Sequence, residues 1–150
     1  ARAILVCADF WKSETYRSTL LRLAEGLHVK EFIDFHFEGT TEQELREVQK
    51  KSDVFVFPNI IPIWGMAAFE GMASGLPLVV SKTSSVAEFL EDGVNALFSE
   101  AGNPRDIALK IKSLIDDPEL YKKIAEAGQK FVKENLNWDV YAKKFLEAIP

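Results

Sequence analysis

One carboxylate, Glu70, stands in the otherwise apolar stretch Met66-Ala67-Ala68-Phe69-Glu70-Gly71-Met72-Ala73, set between two segments with the letters of buried strands. If that carboxylate is buried it needs a donor, because an unpaired one costs several kcal/mol, and a pair of ligand hydroxyls is one such donor. Glu70 is therefore the first candidate binding residue. Upstream, Pro58-Asn59-Ile60-Ile61-Pro62-Ile63-Trp64-Gly65 leaves the end of an expected strand and enters the helix that holds Glu70. The opening N–H groups of a helix have no partner within it and lie at the positive end of its dipole. Gly65, Met66 and Ala67 thus form a candidate anion site. The same spacing also serves an ordinary strand-loop-helix crossover in which Gly65 only makes room for tight packing.

Other residues invite weaker readings. Lys82, just past an expected strand end, is a candidate phosphate partner, although a solvated surface lysine fits equally. Ser85-Val86-Ala87-Glu88 has the spacing of a capping box, which would use the Glu88 carboxylate on its own helix start. His28 and His36 lack a second ligand at metal spacing, and Asp116 and Asp117 fall at a helix junction, so no metal site is expected. The chain has no Gly-x-Gly-x-x-Gly, no phosphate-loop Gly-Lys-Ser/Thr and no Gly-x-Ser-x-Gly, which weakens dehydrogenase, NTPase and hydrolase readings.

These residues need a scaffold, and the pattern supplies one. Strand signals near Ala3 to Ala8, Glu31 to Phe37, Asp53 to Pro58, Leu78 to Ser81 and Ala96 to Phe98 alternate with helical segments. Ser13 to Leu27 places Leu20, Leu23, Ala24 and Leu27 on one helical face. Thr41 to Lys51 opens with Thr41 and Glu44 at capping-box spacing. Asn103-Pro104 and Asp117-Pro118 each set a capping residue before a proline at the first helical position. A last helix, from about Asn137 to Ala148, carries Trp138, Val140, Tyr141, Phe145 and Leu146 as an apolar face. The expectation is an α/β fold: an open, doubly wound parallel sheet with helices on both faces and its ligands beyond the carboxyl ends of the strands.

The chain has 150 residues, 47% of them hydrophobic and 27% charged, which suits one well-packed domain. Its net charge of −5 argues against nonspecific nucleic-acid binding, which rests on Lys and Arg neutralising phosphates. Cys7 is the sole cysteine and reads as buried filler in a strand, so a reducing, cytoplasmic setting is expected. No transmembrane segment is expected, because Pro58, Pro62 and Gly65 interrupt the longest apolar run.

The ordered motifs also resemble a known family. Pro58-Asn59, Trp64-Gly65, Glu70-Gly71-Met72-Ala73-Ser74-Gly75-Leu76-Pro77, Ala87-Glu88-Phe89-Leu90-Glu91-Asp92-Gly93 and Leu136-Asn137-Trp138-Asp139 fall on the donor-binding half of the GT-B retaining glycosyltransferases. The resemblance implies a Rossmann-like domain over residues 1–150 that binds a nucleotide-diphosphate sugar as substrate, with no metal or other cofactor. It places the diphosphate on Gly65, Met66 and Ala67, the ribose hydroxyls on Glu70, and the nucleobase beside Gly39 and Thr40. Asn59, Ser84 and Ser85 would lie near the sugar. The acceptor would be held by a separate N-terminal domain, which could also bring the protein to a membrane surface. No catalytic residue is assigned, and the isolated chain is expected to bind better than it catalyses.

Two departures qualify the match. The family's retaining members usually carry a second glutamate, on the donor sugar, eight positions before the one matching Glu70; here that position is Pro62, which has no acceptor side chain. The resemblance also implies that one strand-helix unit is absent before Asp53, since Tyr16-Arg17 with Leu20 and Leu23 fits the helix after the family's second strand. A competing alignment sets Phe10-Trp11-Lys12 on the family's lysine loop and makes Lys12 a phosphate ligand. Both departures favour the alternative of a non-catalytic, glycosyltransferase-like partner module.

Overall fold

The computed structural model describes residues 1–6, 13–62 and 64–149, so Cys7 and Lys12 lie outside the described residues. In chain order these form β1 (Ala3–Val6), α1 (Glu14–Gly26), a 3-10 turn at Lys30–Phe32, β2 (Ile33–His36), α2 (Glu42–Lys50), β3 (Phe55–Phe57), α3 (Met66–Ala73) and β4 (Leu78–Ser81). A second 3-10 segment (Ser85–Phe89), β5 (Leu97–Ser99), α4 (Pro104–Asp116), α5 (Pro118–Asn135) and α6 (Trp138–Glu147) complete the chain. The result is the expected α/β alternation with parallel strands, divided into two compact units, Ala1–Val48 and Gln49–Pro150.

In the first unit β1 and β2 pair in parallel, from Ala3 opposite Ile33 to Val6 opposite His36. Ser13 caps α1 by accepting from Tyr16 N, and His28 ends it with a left-handed φ of 55°. Of the face expected on α1, Ala24 is buried and Leu20 half-buried, while Leu23 and Leu27 face solvent. The capping box of α2 forms in full. Thr41 N and Oγ1 each donate to Glu44 Oε2 at 2.8 Å, and Glu44 N returns a bond to Thr41 Oγ1 at 3.2 Å. Those bonds, led by the one from the Thr41 backbone, hold the Glu44 carboxyl below its usual range.

The second unit has the denser interior. Strands β3, β4 and β5 lie side by side in parallel, Phe55 opposite Leu78 and Val79 opposite Leu97. Alternation along β4 sends Leu78 and Val80 toward Ala68, Phe69 and Met72 of α3, with Phe131 and Val132 of α5 behind them. Val79 faces the other way with Leu97 onto Leu114 of α4 and Ile124 of α5. Helices therefore cover both faces of this sheet, and all four residues of β4 are buried. Asn103 and Asp117 cap α4 and α5 as their sequence predicts, each with proline just inside. Gly71 is required by closeness: a Cβ there would stand 2.6 Å from the Phe55 ring.

On α6, Trp138, Tyr141, Phe145 and Leu146 are exposed, with the three aromatic rings in a ladder. Among the described residues no helix is long and apolar enough to cross a membrane.

Candidate functional site at the carboxyl ends of β3 and β4

The loop after β3 is fixed by a residue that the motif comparison passes over. Thr83 Oγ1, in the turn after β4, bonds the Ile60 carbonyl at 3.0 Å, with the Asn59 carbonyl at 3.3 Å and Ser81 Oγ at 3.1 Å. One hydroxyl thus ties the β3 loop to the β4 turn. Its sequence signal was weak, because a threonine among Lys82, Ser84 and Ser85 looks like any other turn residue.

Gly65 is the N-cap of α3, in extended conformation, and no side chain caps the helix start. The N–H groups of Gly65, Met66 and Ala67 have no protein acceptor among the described residues. The packing role of Gly65 is real as well, since a Cβ would fall 2.1 Å from Cζ of Phe57. That ring contact forces glycine, and the bare backbone leaves the amides uncovered. Beside the cap, the Trp64 indole packs on Phe69 at 5.4 Å and edge-on against Phe89 at 5.1 Å between centroids.

Glu70 requires a correction. It is not buried: α3 buries Ala68, Phe69, Gly71 and Met72, and the 100° step per residue turns Met66, Ala67 and Glu70 outward. Its carboxylate has no protein partner among the described residues. An apolar helix had suggested a buried acid; the observed side chain is instead open to an arriving donor, one turn beyond the free amides.

The turn after β4 corrects a second expectation. Ser84, 1% exposed, caps the 3-10 segment by accepting from Val86 N at 3.3 Å, so the Ser85–Glu88 box does not form and Glu88 points to solvent. Three residues per turn rather than 3.6 move the cap one position upstream. Ser85 is half-buried, and Lys82 Nζ forms an ion pair with Glu100 at the end of β5.

In the first unit, Gly39 adopts a left-handed φ of 78° and Thr40 is half-buried. Arg17 bonds Glu38 at 2.6 Å and the Phe37 carbonyl at 3.4 Å, which holds the chain entering Gly39. His36 Nε2 lies 3.2 Å from Asp34 Oδ2 without the angle of a hydrogen bond. Among the described residues no cluster of His, Cys, Asp or Glu has the makings of a metal site.

Comparison with known proteins identifies this arrangement's relatives. The model of the family described as glycosyl transferases group 1 matches residues 2–131. An uncharacterized glycosyltransferase of Methanocaldococcus jannaschii is 34% identical over 96 residues, 64% of this chain and 27% of the relative. A sucrose synthase of Denitrovibrio acetiphilus is 30% identical over 71% of this chain and 14% of its own length. The chain thus spans about a quarter or less of these relatives. Among solved structures, HepE of Anabaena in complex with UDP superposes with a TM-score of 0.89 at 21% identity, covering 99% of this chain and 40% of that one; the same protein has been solved with UDP-glucose. At that identity the likeness establishes the fold.

Proposed function

The chain belongs to the glycosyl transferases group 1 family, and on that footing we propose that these residues form the donor-binding side of a glycosyltransferase, with the acceptor held by an N-terminal domain outside them. One observation carries most of this assignment: Glu70 stands exposed, one turn from the amides of Gly65 to Ala67 at the carboxyl end of a parallel strand, and neither it nor they have a partner among the described residues. Amides at a helix start suit a diphosphate, and a carboxylate beside them suits a pair of ribose hydroxyls, since each group lacks what the other kind of atom offers. The complexes of HepE with UDP and UDP-glucose, at this fold, support the same ligand class.

In this assignment Gly65, Met66 and Ala67 take the diphosphate and Glu70 the ribose. Asn59 and Ser85 face the sugar, Ser84 orders the turn beneath them, and Lys82 is the phosphate cation, once it leaves its pair with Glu100. No metal is assigned. The chain's contribution to transfer is then to hold the donor in one geometry and to stabilise charge gathering on the leaving diphosphate.

Pro62 favours a second reading, a binding module that no longer turns donor over, because the loop after β3 offers no acid. Calorimetric titration with UDP, GDP and ADP and their glucose conjugates tests both. The expected result is binding of one nucleotide that Glu70→Ala weakens at least tenfold, as loss of a charge-assisted bond pair of about 1.5–3 kcal/mol requires. No binding at millimolar ligand, or binding indifferent to Glu70→Ala, would sink the donor assignment. Pro62→Glu, in the same titration, gains affinity for the sugar conjugate if the remaining sugar site is intact.

A further inference from the structure

The segment that follows β3 has little of its own to hold it in place. From Asn59 to Pro62 its side chains are one amide, two isoleucines and a proline, and Ile60 and Ile61 are 65% and 60% exposed, so burial anchors them weakly. Among the described residues the hydrogen bonds that reach this segment all come from Thr83, whose hydroxyl meets the Ile60 carbonyl at 3.0 Å and the Asn59 carbonyl at 3.3 Å. Two successive carbonyls thus converge on one side chain.

Counting protons gives this network a direction. A carbonyl only accepts and Thr83 has a single hydroxyl hydrogen, so when that hydrogen is used on the segment, the 3.1 Å bond between Ser81 and Thr83 is donated by Ser81. Ser81 ends β4 and is 1% exposed. The bonds therefore run outward from the buried sheet, through the Ser81 and Thr83 hydroxyls, to the segment, and each donor in such a chain strengthens the next. The turn that carries Thr83 is fixed on both sides of it: Lys82 N donates to the Ser99 carbonyl at 3.0 Å, and Ser84 N donates to the Ser81 carbonyl at 2.9 Å. The segment after β3 takes its position from this turn.

We propose that Thr83 is a positioning residue for the donor: through the Asn59 and Ile60 carbonyls it holds the segment after β3 in one place beside Lys82. This rests on the donor assignment above, in which Asn59 and Lys82 both meet the ligand. Thr83 acts through the segment, since its hydroxyl is already engaged by protein atoms. A segment held in advance adds no ordering cost when the ligand arrives; without the tie, that cost is subtracted from the affinity.

The test reads nucleotide affinity and melting temperature together. UDP, GDP and ADP are titrated into wild type, Thr83→Val, Thr83→Ser and the double variant Ser81→Ala with Thr83→Val. Thr83→Val keeps the volume without the hydroxyl, and should weaken the nucleotide that wild type binds roughly three- to tenfold, the range covered by one net hydrogen bond. Thr83→Ser should stay within about twofold of wild type. Thr83→Val also strips the buried Ser81 hydroxyl of its partner and should lower the melting temperature, whereas the double variant removes both partners and should melt close to wild type. Its affinity should stay low. Affinity that returns with stability in the double variant, or Thr83→Val binding as tightly as wild type, overturns the positioning role while leaving the donor site standing; no nucleotide binding to wild type overturns both. Should Thr83→Val not fold, Thr83→Ala with Ser81→Ala is read by the same two measurements.

Discussion

Strands β1 and β4 are written in nearly the same letters, Ala3-Ile4-Leu5-Val6 and Leu78-Val79-Val80-Ser81, and they meet opposite fates. β4 has a strand on each side and helices over each face, and all four of its residues are buried. Among the described residues β1 pairs with β2 alone, and only Leu5 of its four residues is even half-buried. The same contrast extends to the units around them: among the described residues Ala24 is the one buried hydrophobic residue of the first unit, while the second holds the rest of the core. Apolar sequence creates the demand for burial, but the number of neighbours decides whether it is met.

Paired substitutions put this contrast to a direct test. Leu78→Ala should cost about 2–5 kcal/mol, since it removes a side chain with no exposed surface and leaves a cavity under α3. Ile4→Ala, at a position 39% exposed, should cost about 1 kcal/mol or less. Urea midpoints at constant slope provide the comparison, and equal costs would mean that β1 is covered in solution.

A second pair concerns glycines within helices, where alanine normally stabilises by up to about 1 kcal/mol. Gly26→Ala in α1 should follow that rule, because nothing lies within 4 Å of the new Cβ. Gly71→Ala in α3 should reverse it, destabilising by about 1–3 kcal/mol as the methyl group meets the Phe55 ring. Melting temperatures that move the same way in both variants would show that α3 can slide off β3.

The smallest effect expected is electrostatic and confined to the first unit. The Glu44 carboxyl is held below its usual range in the folded chain, so its contribution is present above the unfolded value, about pH 4.3, and is lost as pH falls through the lower folded value. Glu44→Gln should therefore differ from wild type at pH 6 and converge with it toward pH 3. A gap between the two melting curves that stays constant with pH would remove the capping box as its source.

The sequence made some of these elements plain and hid others for identifiable reasons. Caps at Thr41, Asn103 and Asp117 were readable because each rests on a few adjacent residues. The outward turn of Glu70 was not, since a helix as apolar as Met66–Ala73 has little amphipathic contrast to tell its faces apart. Nor could Ser84 and Ser85 be separated, because identical neighbours differ only in whether the turn winds at three residues or 3.6. The site's residue types were legible. Their exposure, and the hydroxyl of Thr83 that fixes the loop, depend on contacts with elements far along the chain.

In the donor site proposed above, the Lys82–Glu100 pair would be a built-in competitor. Both side chains are about half exposed, at 48% and 58%, so the bond between them is worth at most about 1 kcal/mol. A phosphate that recruits Lys82 does not find a bare cation; it exchanges places with Glu100 and leaves that carboxylate to water. The exchange is nearly neutral in energy. Any anion that engages Lys82 must therefore displace Glu100 first, at a cost of at most about 1 kcal/mol.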